Sequence, residues 1–193
     1  MTAPALATGS PALFPTAARR VAIIGNGGSG KSTLARELGP LLGLPVVHLD
    51  VEHWRPGWTE PPLPEWQARV RELVAAEAWV IDGNYGGTID VRLAAADTVV
   101  FLDFPTPTCT WRVIKRATVH RRHPRPDMAE GCREKLDPHF IKWVWTYRRL
   151  RRPAILALLE RFRSGRTIVV LRNPREMREW LTGLQAAHPP RPA

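Results

Sequence analysis

The run Gly25-Asn26-Gly27-Gly28-Ser29-Gly30-Lys31-Ser32 fits the spacing G-x-x-x-x-G-K-[ST] and lies between two patterns that constrain its shape. Before it, Arg20-Val21-Ala22-Ile23-Ile24 reads as a short buried strand. After it, Leu34, Leu38, Leu41 and Leu42 recur on one face of a helix. A strand that turns through glycines into a helix lets backbone N–H groups converge on a small volume, and the first helical turn adds unpaired donors at its positive end. Such a nest suits a polyphosphate. Gly25, Asn26, Gly27, Gly28, Ser29, Gly30, Lys31, Ser32 and Thr33 are therefore the candidate nucleotide-binding set, with Lys31 reaching the β and γ phosphates and the Ser32 hydroxyl binding Mg²⁺. The alternative is a glycine-rich turn that binds nothing.

Further apolar runs end in polar groups. Val46-Val47-His48-Leu49 predicts a second strand delivering Asp50, and Trp79-Val80-Ile81 a third, followed by Asp82-Gly83-Asn84-Tyr85. Residues 98–103 predict a fourth, and residues 166–171 a fifth that leads into Arg172-Asn173-Pro174. In an open parallel α/β sheet, ligands sit beyond the carboxyl ends of the strands. Asp82 there can hold Mg²⁺ through water, orient an attacking hydroxyl, or merely form an Asp-Gly turn. Asn173 stands where an adenine ring can lie against backbone, and Asp103 reads as structural. Residues 51–64 carry His53, Trp54, Arg55, Trp58 and four prolines, which predicts an irregular loop over the site. Its tryptophans beside Arg55 suit a planar or phosphorylated acceptor, or pack the loop onto its own domain. Pro64 opens a helix with Trp66, Val70, Leu73 and Val74 on one face, and residues 89–96 form another that carries Arg92.

The net charge of +10 is concentrated. Residues 111–152 hold 13 Lys/Arg and 4 Asp/Glu, so that segment meets whatever anion this chain binds. Residues 108–119 predict a helix with Trp111, Val113 and Ile114 inward and Arg112, Lys115 and Arg116 toward the site. Residues 120–126, with two prolines, break it. Arginines clustered at a break between helices read as a lid, and an arginine closing over a γ-phosphate contributes about 10³-fold or more in rate. Arg116, Arg121 and Arg122 are the candidates. His120, His123 and His139 lack metal-ligand spacing.

A chain of 193 residues, 44% apolar, suffices for one well-buried core. The expected layout is one domain over residues 19–184, a disordered tail over 1–18 and a short tail over 185–193. Cys109 and Cys132 fit neither a zinc pair nor a disulfide framework, so free thiols are expected. No apolar run approaches the roughly 20 residues of a membrane span, and no signal-peptide pattern opens the chain, which predicts a cytoplasmic protein without membrane partners, monomeric or homodimeric.

Taken together, GNGGSGKST at 25–33, HLD at 48–50, the Trp58 loop, WVIDGNY at 79–85, ADTVVFLDFP at 96–105, WRVIKR at 111–116, RPDMAEGCREKLD at 125–137 and VVLRNPRE at 169–176 resemble a P-loop kinase of the nucleoside monophosphate kinase type. The likeness is greatest to the adenylate kinase-related proteins named DNA topology modulation proteins, over roughly residues 20–182. It implies an α/β, three-layer P-loop NTPase fold with a five-stranded parallel sheet in the order 2-3-1-4-5 flanked by helices. It also implies ATP with Mg²⁺ as donor and a basic lid over about 118–136. By position, Lys31, Ser32 and Thr33 map to the nucleotide and metal site, Asp82 to the acidic group after strand three, and Arg112, Arg116, Arg121 and Arg122 to the lid arginines. Adenylate kinases have Asp-Gly-Phe-Pro-Arg after strand three, and this chain lacks that arginine; Arg55 or Arg92 could replace it in holding a monophosphate. The expected activity is transfer of the γ-phosphoryl group of ATP to a small-molecule acceptor held by Asp50, Arg55, Trp58, Tyr85 and Arg92. A nucleotide-switched DNA-binding ATPase is the alternative, without a helix-turn-helix or zinc-finger pattern to support it.

Overall fold

A computed structural model describes residues 18–119, 127–132 and 135–187. All but Ala18 of the expected tail over 1–18, and residues 120–126 and 133–134 of the expected lid, Arg121 and Arg122 among them, lie outside the described residues. The elements are β1 (Arg20–Gly25), α1 (Lys31–Leu42), β2 (Val46–His48), α2 (Leu49–His53), α3 (Leu63–Ala75), β3 (Trp79–Asp82), a 3₁₀ turn (Gly86–Thr88), α4 (Ile89–Ala95), β4 (Thr98–Leu102), α5 (Thr106–Val119), α6 (Pro138–Leu150), α7 (Arg152–Arg161), β5 (Thr167–Leu171) and α8 (Pro174–Ala187).

All five strands run parallel in the order β2-β3-β1-β4-β5, as expected. Near-continuous apolar runs such as Val21–Ile24 and Val99–Leu102 suit a sheet covered on both faces. Successive side chains of a strand alternate faces. Ile23, Val100 and Leu171 thus pack with Leu34, Leu38, Val113, Val144 and Trp180 of α1, α5, α6 and α8. Ala22, Phe101 and Val170 pack with Val70, Leu93, Tyr147 and Leu159 of α3, α4, α6 and α7. Because β1 lies between β3 and β4, the chain winds to one side and then the other, and the crevice this opens lies at the carboxyl end of β1.

Some local expectations change. Residues 49–53 form α2, where Leu49 was expected to end the second strand and residues 51–53 to open a loop, because Leu49 and His53, four apart, bury the same face. Trp111 is 66% exposed rather than inward. The buried face of α5 is Cys109, Thr110, Val113 and Ala117, and a residue two positions from Cys109 or Val113 points to the opposite side. Trp145 is 59% exposed for the same reason, two positions from Trp143 and Tyr147 on α6. Cys109 and Cys132 are free and buried, and burial pushes the Cys109 thiol up to about 11. Among the described residues no helix is long and apolar enough to cross a membrane.

Two polar groups at strand ends fix helices. Asp103, buried just after β4, accepts from Arg152 Nε at 2.8 Å and Nη2 at 2.7 Å, with Arg148 at 4.0 Å. After β5, Asn173 Oδ1 accepts from the backbone N–H of Arg175 (3.0 Å) and Glu176 (2.9 Å), while Glu176 Oε2 accepts from the N–H of Arg172 at 2.7 Å. That is a reciprocal cap on α8. The Asn173 side chain, expected near an adenine ring, is engaged in it. Asn173→Ala should lower stability by about 1 kcal/mol in urea denaturation and leave ATP affinity unchanged. Asp103→Ala, which strands Arg152, should cost about 2 to 3 kcal/mol in the same measurement.

Candidate active site

The glycine loop is pressed from two sides. Gly28 has φ +76°, and a Cβ there would lie 2.4 Å from the Cys109 carbonyl oxygen of α5. A Cβ on Gly27 would lie 2.8 Å from both Phe140 and Val144 of α6. Only glycine fits such an approach. Asn26, buried, donates through Nδ2 to the Val144 carbonyl at 3.0 Å and accepts from the Gly27 N–H at 2.8 Å. Its side chain therefore clamps the loop to α6 and leaves ligand contact to the backbone.

Gly30 begins α1 in the left-handed region with no side-chain cap. Among the described residues, the leading N–H groups of α1 have no protein acceptor. Gly25 ends β1, its N–H facing Asn84 Oδ1 at 3.3 Å. Lys31 Nζ donates to the Asn26 carbonyl at 3.0 Å. Burial holds the Lys31 ammonium below its usual range, while Asp50 and Asp82 pull it back up and Arg116 pushes it down. Ser32 is half-buried beside it and Thr33 exposed. Arg112 faces the same loop, donating to the Ser29 carbonyl at 3.4 Å with its guanidinium 5.7 Å over the Phe104 ring. Arg116 follows one turn later on α5.

On the other side of the crevice, His48 and Asp82 are register partners at the ends of β2 and β3. Asp82 Oδ1 accepts from His48 Nδ1 at 2.7 Å. Burial alone would lower the His48 pKa, but the hydrogen bond and charge of Asp82 outweigh it and raise it. His48 is a site neighbour that the sequence reading missed, although adjacent strands ending in His and Asp were a usable signal. Asp50 lies in the first turn of α2, its Oδ1 accepting from the Tyr85 hydroxyl at 2.7 Å. Tyr85 has φ +20°, and burial, then the Asp50 carboxylate, push its pKa far above the usual range.

The two arginines expected to meet an acceptor are engaged elsewhere. Arg92 has no exposed surface and donates to the carbonyls of Gly83 (2.8 Å) and Asn84 (2.8 Å). Burial lowers its pKa to about 10, which leaves it charged at neutral pH. It braces the turn after β3 from behind, where an acceptor does not reach it. Arg55 is ion-paired with Glu65. Its loop closes on itself, the Arg55 N–H donating to the Thr59 carbonyl at 3.0 Å, with Gly57 and Trp58 both at positive φ. Trp58 packs edge-on to Trp54 at 5.3 Å. The described part of the expected lid segment touches this loop, the Cys132 thiol donating to the Arg55 carbonyl at 3.2 Å, and Asp127 faces Arg36 of α1 at 3.7 Å.

The cradle at Gly27 and Gly28 and the unpartnered N–H groups of α1 fit a polyphosphate. Ser32 and Asp82 are hard oxygen donors, and a Mg²⁺ site of one or two protein ligands completed by phosphate oxygens needs no more.

No protein-family model matches the sequence, and no curated protein is significantly similar to it. Among solved structures, a deoxyadenosine kinase from M. mycoides with products dCMP and a flexible dCDP bound is 14% identical. It covers 86% of this chain and 97% of its own, with a TM-score of 0.50. Shikimate kinase from Acinetobacter baumannii in complex with shikimate is 18% identical, covering 90% and 97%, TM-score 0.49. A gluconokinase from Sinorhizobium meliloti 1021 is 18% identical, covering 88% and 93%, TM-score 0.48. The likeness to the first, together with the strand order, shows the P-loop kinase fold.

Proposed function

We propose that this chain is an ATP-dependent phosphotransferase, related to the adenylate kinase and topology modulation proteins, that moves the γ-phosphoryl group of ATP to a small acceptor. The observation that carries the reading is the position of Lys31. It is bonded to the glycine loop on one side and lies within electrostatic reach of Asp50 and Asp82 on the other, at the crevice where the winding of the sheet reverses.

The glycine loop and the start of α1 bind the phosphates through N–H groups, and Lys31, Arg112 and Arg116 offset the charge that builds up during transfer. Ser32 and Asp82 would hold Mg²⁺, which would supply further charge neutralisation to the phosphates. Asp50 takes the part of acceptor-side base, since Tyr85 engages only its Oδ1. An acceptor oxygen bonds to the γ-phosphorus while the bond from that phosphorus to the β–γ bridging oxygen breaks. ADP leaves with the electron pair, and the hydroxyl proton passes to Asp50. Arg121 and Arg122 remain the proposed lid arginines. Asp137 caps α6 through the N–H groups of His139 and Phe140, which keeps that helix seated over the loop.

Polyanion binding by the basic segment is the weaker reading, because several of its cations have internal partners. Arg148 and Arg152 face Asp103, Arg151 lies 4.8 Å over the Trp143 ring, and Arg112 serves the glycine loop. Lys31→Ala should lower acceptor-dependent ADP formation by roughly 10²–10³-fold and leave the thermal midpoint within a few degrees of the parent. Turnover that survives in a folded Lys31→Ala protein refutes the assignment.

A further inference from the structure

Strand pairing brings a histidine onto one of the two residues proposed to hold Mg²⁺. Val46 and Val80 both pack in the layer that contains Leu34 and Leu38 of α1. Side chains alternate along a strand, so His48 and Asp82, each two positions further on, point to that same side of the sheet. They are register partners at the carboxyl ends of β2 and β3, and His48 Nδ1 lies 2.7 Å from Asp82 Oδ1. On α1, Ser32 and Arg36 are four apart and share a helix face. Arg36 and Asp127, an ion pair at 3.7 Å, both lie within electrostatic reach of the imidazole, and Lys31 lies within reach of Asp82. The His48 and Asp82 pair is thereby set beside the first turns of α1, where Ser32 stands.

The backbone ladder already aligns the two strands through Val46, Val47 and their partners, so the side-chain bond is not needed to set their register. What it restricts is rotation of the Asp82 carboxylate, a torsion that is otherwise broad. With Oδ1 bonded to the neighbouring strand, the direction of Oδ2 is fixed as well. For this bond the ring proton stands on Nδ1, as it does in the imidazolium and in one neutral tautomer.

Resting on the phosphotransferase reading in which Ser32 and Asp82 hold Mg²⁺, we propose that His48 is a positioning residue for that metal site. Its Nδ1–H holds Asp82 Oδ1, so that Oδ2 is presented to the cation or to a water bound to it. Outer partners of metal ligands typically contribute about 10- to 100-fold in metal affinity.

The test titrates the full chain with a fluorescent ATP analogue, first in EDTA, then in rising Mg²⁺, and with Mn²⁺ followed by electron paramagnetic resonance. In His48→Leu the protein–analogue complex should bind either metal about tenfold or more weakly, while affinity for the metal-free analogue stays within about twofold. His48→Asn, whose amide nitrogen occupies nearly the place of Nδ1, should recover most of the loss. His48→Gln, whose nitrogen corresponds to Nε2, should not. The comparison of Asn with Gln decides the matter even where His48→Leu fails to fold. Equal losses with and without metal, the mark of a role in the fold alone, overturn the inference. So do parental metal affinity in a folded His48→Leu, Asn and Gln variants that bind metal alike, or a parent protein whose analogue binding ignores Mg²⁺. A parent protein that does not bind the analogue under any of these conditions would instead sink the phosphotransferase reading itself.

Discussion

A backbone carbonyl of α5 and two side chains of α6 lie so close to Gly27 and Gly28 that no Cβ fits between them. The loop is thereby shaped from outside as much as by its own flexibility. Glycine lowers the cost of the left-handed turn at Gly28, but it also widens the set of conformations available to an unpacked loop. Packing against Cys109, Phe140 and Val144, with the Asn26 amide bonded to the Val144 carbonyl, narrows that set. The amides at the start of α1 are then held ready for an anion before any arrives, which removes an ordering cost from binding.

The same clamp divides the crevice by charge. Cations gather on the α5 side, where Arg112 and Arg116 share a helix face above the loop. Carboxylates gather on the β2 and β3 side, where parallel register sets His48 beside Asp82 and the next turn presents Asp50. Lys31 lies between. A lysine desolvated this far favours its neutral form, and the two carboxylates work against that tendency. Asp50 and Asp82 thus offset part of the burial that lowers the Lys31 pKa.

Much of this was legible in the sequence because it rests on local chemistry. The apolar runs gave all five strands to within two residues, and the glycine loop named its own position. Asp82 closes β3, as expected of a polar residue that ends a buried run, whereas Asp50 falls two residues past β2 in the first turn of α2. What failed depended on partners distant in sequence. Arg92 looked available because helix 89–96 carries it among apolar residues, yet its direction is set by carbonyls of the turn after β3. Asn173 followed a strand and suggested a ligand, whereas the signal for its actual role, Glu three positions later, was present and overlooked. Trp111 was assigned by hydrophobicity rather than by its angle around the helix, and it faces outward.

The concentrated positive charge has a second use that composition cannot reveal. Arg152 binds Asp103 through two nitrogens just past β4, where α6 gives way to α7, and Arg148, one turn earlier, faces the same carboxylate. This fixes the carboxyl-terminal end of α6 to the sheet. The opposite end of α6 is capped by Asp137, and between the two lie Phe140 and Val144, which press on the glycine loop. An ion pair at the edge of β4 therefore restrains the helix that presses on the glycine loop. Asp103 is buried, so its charge stays tolerable only while the arginines remain. The arginines in turn draw α6 toward the strand that neighbours β1. Part of the basic segment thus bears on the glycine loop indirectly, through the seating of a helix, while Arg112 reaches it from the adjoining one.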